Sequence, residues 1–350
     1  MGRKLKNGLS IRGDSYYCPL SFQLDTYWSC KINCRHCYMR HLNRTWGWDL
    51  RPLDFDVFRT KILNAEKNTK PKSPLAWALH LKKTIRFGNK TDPYQPAERE
   101  HKISRRVLRF LKRYHWSTVI QTKCTQLLFE RDTEIVEGSE GDISVMPIIS
   151  PGLEVDWDIF ERQRTTPPED RLKHCQHWVR KGVNVGVNGE PFIPGFHTVK
   201  QFENAVKAVK AAGVRSYNTY HLHFNDLVAK NFHAVGLDIE KIWHMNQDEN
   251  WKPILQQLID IAKKHDIILG CPDFVNSGQY TESANTCCGI NVPNPCTFNM
   301  IYWKKMYLKG ETDPDVISRR TWDGIGDREE GEKLIRGENS SFYGFKDIGL

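Results

Sequence analysis

Three cysteines stand close together in the run Cys30-Lys31-Ile32-Asn33-Cys34-Arg35-His36-Cys37. A deprotonated thiol is a soft metal ligand. A loop offering three thiolates at this spacing suits three irons of a [4Fe–4S] cube and leaves the fourth iron without a protein ligand. Cluster proteins that only move electrons commonly use four cysteines, so a three-cysteine site points to chemistry at the open iron. Two plainer readings compete. Zinc could take the same cysteines with His36 or His41 as fourth ligand, although no partner pair lies nearby at usual zinc spacing. The thiols could also be unliganded. A disulfide framework is not expected in a chain this long, which opens on Met-Gly-Arg-Lys-Leu-Lys-Asn-Gly without an apolar signal segment.

The elements that must hold this loop alternate in type. Ser21–Leu24 reads as a short strand running into it, and Leu75–Phe87 contains a second strand that ends at Gly88. Arg99–His115 reads as one amphipathic helix, with Ile103, Val107, Phe110 and Leu111 on one face and basic residues on the other. Strands follow at Ser117–Thr122, Asp142–Ile149, Val183–Val187, Val214–Leu222 and Ile267–Gly270, with helices at Asp170–Lys181, Thr198–Ala212 and Trp251–His265. Repeated strand–helix units imply parallel strands joined by right-handed crossovers. The expected class is α/β, a partial (β/α)6-type TIM-like barrel with a cysteine-containing C-terminal extension. In such barrels the working groups lie on loops at the C-terminal ends of strands, where the cysteine loop falls. The expected divisions are an N-terminal tail 1–16, a barrel 17–270, an extension 271–310 and a polar tail 311–350.

The C-x3-C-x2-C spacing resembles the signature of the radical S-adenosylmethionine (SAM) enzymes. Further segments resemble their spore photoproduct lyase-like branch: Phe87-Gly88-Asn89-Lys90-Thr91-Asp92-Pro93-Tyr94-Gln95-Pro96-Ala97-Glu98, Thr122-Lys123-Cys124 with Arg131-Asp132, and Pro191-Phe192-Ile193-Pro194-Gly195. Together these span roughly residues 20 to 222. The resemblance implies a [4Fe–4S] cluster on Cys30, Cys34 and Cys37, with SAM on the open iron. It implies one-electron cleavage to a 5′-deoxyadenosyl radical that abstracts hydrogen from an unactivated C–H bond. An electron donor such as flavodoxin or ferredoxin is then required.

The resemblance also suggests roles for single positions. His36, before the third cysteine, and Tyr38 fall where a planar ring packs near adenine. Gly88, Asn89, Thr91 and Asp92 are candidates for the methionine amino group, and Lys123 for the carboxylate, against a snorkelling surface lysine. Ser150 is a candidate for the ribose, and Asn188 and Glu190 for SAM or substrate, against ordinary loop capping. One departure stands out. Where the spore lyase carries a cysteine hydrogen donor, Asn89 stands here if Thr91-Asp92-Pro93 is the matching segment. Cys124 could replace it or be a small buried residue. A reaction that returns hydrogen to SAM, or rearranges the substrate radical, needs no such donor.

Cys271, Cys287, Cys288 and Cys296 form a second group. They could hold an auxiliary iron–sulfur cluster or zinc, or simply pack. His221 and His223 alternate on a strand and could line the barrel mouth. The chain has 350 residues, with 51 Lys+Arg against 42 Asp+Glu, a net charge of +9. That balance favours a polyanionic partner, and 16 Phe, 11 Trp and 12 Tyr could supply stacking. The expected substrate is a modified or damaged thymine-type base in DNA, through an isomerase or lyase reaction. The alternatives are a small molecule or peptide, and a zinc-stabilised nucleic-acid-binding protein without catalysis. No apolar run approaches the ~20 residues of a membrane span, so no membrane partner and a cytoplasmic location are expected.

Overall fold

The computed structural model describes residues 4–6, 8–11, 20–39, 49–68, 71, 73–270, 284, 286, 288–295, 310–311 and 313. One sheet runs in the order β1 (Leu9–Ile11), β2 (Phe22–Leu24), β3 (Ile85–Phe87), β4 (Thr118–Thr122) and β5 (Ile143–Pro147). A second holds β6 (Val187–Asn188), β7 (Ser216–Asn218) and β8 (Ile268–Gly270). From β2 onward every pairing within a sheet is parallel, and β1 lies antiparallel on β2 at the edge. Single parallel bridges, Val145–Val185 and Ile148–Asn188, carry the first sheet into the second. Among the described residues no bridge joins β8 back to β1 or β2, so the structure is an open partial barrel.

The helices α1 (Phe55–Lys67), α2 (Pro74–His80), α3 (Glu98–His101), α4 (Ile103–Arg113) and α5 (Thr125–Glu137) interleave with the first strands. A turn at Glu154–Asp156 runs into a π-helical turn at Trp157–Glu161, followed by α6 (Pro168–Arg180), α7 (Val199–Ala211), α8 (Asp226–His233), α9 (Ile239–Met245) and α10 (Asp248–Lys264). Local chemistry starts several of them. Asp54, Ser73, Asn225 and Asp238 accept backbone N–H groups at the starts of α1, α2, α8 and α9, and Thr198 with Gln201 forms a capping box on α7. The main core lies between strands and helices, with Phe22, Ile85, Ile120 and Val145 against Leu108, Leu128, Trp178 and Leu258.

Several expectations are corrected. The helix expected over Arg99–His115 is broken at Lys102, which adopts φ +52°. The buried Glu98 carboxylate explains the break, because it accepts from the N–H groups of Ser104 and Arg105 and so starts a new helix there. The strand expected at Val183–Val187 begins at Val187, with Val185 making only a single bridge. Part of the expected N-terminal tail forms β1. Residues 288–295 of the extension cross the N-terminal end of the barrel. Thr84 N donates to the Asn294 carbonyl, and Cys288, Ile290 and Val292 pack against Leu20, Val119 and Met146. This apolar floor closes the barrel below.

Candidate active site

The cysteine loop leaves β2 and is fastened from several sides. Asn33 takes the left-handed conformation at φ +63°, which Asn tolerates well. Gln95 clamps the loop, accepting from Lys31 N at 2.8 Å and donating to the Ser29 carbonyl at 3.0 Å. Arg35 N donates to the Phe160 carbonyl at 2.9 Å, and Asn231 donates to the Arg35 carbonyl at 3.1 Å.

Cys30, Cys34 and Cys37 line one cavity, and none is in a disulfide. Burial pushes the Cys30 thiol up to about 12 and raises Cys34 further. Metal-free, these thiols are protonated, and ligation would release their protons. Among the described residues no three His, Cys, Asp or Glu side chains form a group that could hold a metal ion. A single zinc needs its ligands to converge on one point, whereas a cube takes each thiolate at a different iron. Three thiols lining one cavity fit that donor set. His41 lies outside the described residues.

The loop after β3 forms a second wall. Gly88, Asn89, Thr91 and Asp92 all line the cavity. Gly88 has φ +92°, and a side chain there would meet Pro93 Cδ at 2.5 Å and Gln121 O at 2.6 Å, so glycine is required. Asp25, which the sequence reading passed over, organises this loop. Its Oδ1 accepts from the backbone of Asn89, Lys90 and Thr91 at 3.2, 2.9 and 2.9 Å. Asp92 joins this wall to β4: Oδ1 accepts from Thr122 Oγ1 at 2.7 Å and Tyr94 N at 2.8 Å, and Oδ2 from Lys123 N at 2.7 Å. Burial raises the Asp92 pKa, and these hydrogen bonds offset part of that rise. Its carboxylate is thus committed to holding the wall.

Lys123 lies in the cavity wall, but its ammonium is engaged within the chain. Nζ donates to Glu161 Oε1 at 2.7 Å and lies 3.2 Å from His36 Nε2. Burial opposes its charge, and the Glu161 carboxylate outweighs that, so the Lys123 pKa is raised. Arg171 holds the other Glu161 oxygen. Burial works against the Glu161 charge, yet Arg171 and Lys123 prevail and hold the carboxyl well below its usual range. Burial and the Lys123 charge lower the His36 pKa to about 3. The ring therefore stays neutral, accepts at Nε2 and lies edge-on to Phe160.

The second sheet supplies the far wall. Asn188 and Glu190 line the cavity. Asn188 Oδ1 accepts from Glu190 N at 2.8 Å, and Glu190 Oε1 accepts from Asn218 Nδ2 at 2.8 Å. Tyr220, His221 and His223 also line it, and His223 lies 4.7 Å from the Tyr38 ring. His221 stacks on Trp251 at 5.2 Å and donates through Nδ1 to the Asn246 carbonyl.

Three candidates fall elsewhere. Ser150 is buried outside the cavity lining and hydrogen-bonds to Asp156, which is paired with His197 at 2.8 Å. Cys124 is buried behind the lining, its thiol pushed well up by burial. Cys288 sits in the apolar floor, while Cys271, Cys287 and Cys296 lie outside the described residues. The sequence reading missed Glu161 and Arg171, which no local motif announces. It also missed Arg86, whose charge inside an otherwise apolar strand was a visible signal.

No family model matches the sequence, and no curated protein matches it. Two structures of Streptococcus suis SuiB, one bound to S-adenosylmethionine, align over 73% of this chain at 10% and 12% identity. The chain spans about half the length of that protein, and TM-scores of 0.45 and 0.46 are too low to carry an inference. A mutant of spore photoproduct lyase with dinucleoside spore photoproduct aligns over 75% of this chain and 78% of its own, at 11% identity and TM-score 0.55. At that identity the likeness is one of architecture: this chain has a partial-barrel fold like that of spore photoproduct lyase.

Proposed function

We propose that the chain is a radical SAM enzyme acting on a modified or damaged thymine-type base in DNA. The observation that carries this reading is the placement of Cys30, Cys34 and Cys37 in one cavity at the C-terminal end of parallel strands, under a fold like that of spore photoproduct lyase. In this reading the three cysteines hold a [4Fe–4S] cluster, and Gly88, Asn89, Thr91, Asn188 and Glu190 surround SAM. When bound, cluster and SAM together supply a 5′-deoxyadenosyl radical for hydrogen abstraction.

The chain's own part is to position and to shield. The Asp25-ordered loop and the Asp92 brace fix the wall after β3. The apolar floor excludes water from below. Tyr38, Tyr220 and His223 offer rings on which a base could stack after leaving a duplex or arriving single-stranded. The net charge of +9 suits a polyanionic substrate. Apart from the three cluster cysteines, no thiol lines the cavity among the described residues. Asn89, standing where the resemblance expects the lyase's donor cysteine, favours a rearrangement, or return of the hydrogen to SAM, over a lyase reaction that needs a thiol donor.

The test is 5′-deoxyadenosine or deuterium-exchanged SAM formed by the anaerobically reconstituted chain under dithionite. Single-stranded DNA carrying modified thymines should stimulate it above the DNA-free rate. Stimulation by peptides or small molecules but by no DNA would overturn the substrate assignment.

A further inference from the structure

We infer that Arg86 anchors the substrate by binding an oxyanion, a carboxylate or a phosphate, that the substrate carries. For where the substrate lies, this rests on the proposed function. The residue itself stands on independent observations. Arg86 occupies the middle of β3, is 8% exposed, and lines the same cavity as the three cysteines. It pairs in register with Gln23 of β2, which puts both side chains on the inner face of the barrel.

A guanidinium in such a place needs a counter-charge, because a buried charge is costly unless paired. Other interior cations have one: Lys123 and Arg171 share Glu161, and Arg131 lies between Glu98 and Asp132. Arg86 differs. Among the described residues its partner is neutral, Nε donating to Gln121 Oε1 at 2.6 Å, and it forms no ion pair. The cavity's carboxylates are used by other donors. Asp92 accepts from Tyr94 of its own wall and from Thr122 and Lys123 at the end of β4, and Glu190 accepts from Asn218. Beside Arg86, Gln23 Nε2 is buried and without a partner among the described residues. The Nη donors of Arg86, with this unpartnered amide on the neighbouring strand, suit a planar or tetrahedral oxyanion.

Depth decides whose oxyanion it is. Arg86 lies two residues before Gly88, so it sits roughly 6–7 Å down the strand from the loop expected to surround SAM. Val119, its in-register neighbour on β4, joins Met146 and Ile290 in an apolar patch that offers the guanidinium no counter-charge. The space between Arg86 and that loop is assigned to the molecule attacked.

The experiment measures melting temperature of the reconstituted full chain at constant ionic strength, for wild type, Arg86→Gln and Arg86→Lys. The probes are acetate, inorganic phosphate, thymidine 5′-monophosphate and 5-carboxy-2′-deoxyuridine, with thymidine as the neutral control. A ligand that binds only the folded state raises the transition temperature. At least one oxyanion should stabilise wild type, lose tenfold or more in affinity with Arg86→Gln, and recover part with Arg86→Lys. Response confined to the phosphates assigns a nucleotide phosphate, and response to the carboxylates assigns a carboxyl substituent. Equal responses in wild type and Arg86→Gln, including none in either, would overturn the inference. So would a tenfold loss of SAM affinity in Arg86→Gln with the anion responses intact. If Arg86→Gln does not fold, wild-type crystals soaked in phosphate and in acetate decide, by anion density at the guanidinium or none. An oxyanion response through Arg86 without any DNA-stimulated turnover would sink the thymine reading alone. DNA-stimulated turnover identical in wild type and Arg86→Lys or Arg86→Gln would sink the Arg86 assignment alone.

Discussion

Lys123 Nζ lies 2.7 Å from Glu161 Oε1, and both side chains are buried. The ammonium that the family resemblance assigns to the SAM carboxylate already pairs with the chain's own carboxylate. With Arg171 it ties the end of β4 to the π-helical turn, beside His36 of the cysteine loop.

Glu161→Gln should be severely destabilising, because it strands two buried cations. Removing one partner of a buried pair costs about 3–5 kcal/mol. Urea denaturation at pH 7 would read this as a lower midpoint with little change in slope. The pH dependence has a definite sign. A carboxyl held below its unfolded pKa stabilises above about pH 4.3 and loses that contribution as pH falls further. Wild type should thus lose stability in acid more steeply than Glu161→Gln.

His174 contributes in the same direction. Its pKa is lowered to about 4, chiefly by burial, and it lies against Phe129 at 4.3 Å with Thr125 Oγ1 2.9 Å from Nδ1. An unfolded chain protonates this ring near pH 6.5, the folded chain only near 4. Stability should fall as pH drops through that window, and His174→Gln should flatten the fall. A stability titration from pH 8 to 4 checks it.

Asp92 and Glu190 should separate brace from ligand. Asp92→Asn places an amide against the Lys123 N–H donor, so the melting temperature should fall by several degrees. Glu190→Gln disturbs less of the frame and should weaken SAM binding about tenfold, roughly 1.4 kcal/mol, with iron content retained. Equilibrium dialysis with SAM, beside calorimetric melting, distinguishes the two.

Much of the barrel was legible because buried parallel strands announce themselves as short apolar runs between amphipathic helices. The strand leading to the cysteines was visible in this way, and the wall from Gly88 to Asp92 through the family resemblance. What stayed hidden depends on distant partners. Nothing local to Lys102 marks a helix break, since Glu98 causes it from a neighbouring turn. Nothing in Thr122-Lys123-Cys124 says that Lys123 will meet Glu161, 38 residues on. The floor formed by Ile290 and Val292 comes from the far end of the chain, beyond the reach of periodicity. Ser150 was a reasonable strand-end candidate, but its side chain turned to Asp156.

DNA binding should depend strongly on salt. For single strands, log K falls by about 0.7 per neutralised phosphate for each decade of salt. Fluorescence anisotropy between 50 and 300 mM salt, roughly the range where such slopes are read, should give several contacts. A flat response would argue against a polyanionic substrate.

The central claim is tested most directly by iron and sulfide per chain after anaerobic reconstitution, for wild type and for the Cys30→Ala/Cys34→Ala/Cys37→Ala variant. The account predicts about four irons and four sulfides on the three-cysteine loop, as one cubane cluster requires, and their loss in the variant. Zinc without iron in wild type, or iron undiminished in the variant, would contradict it.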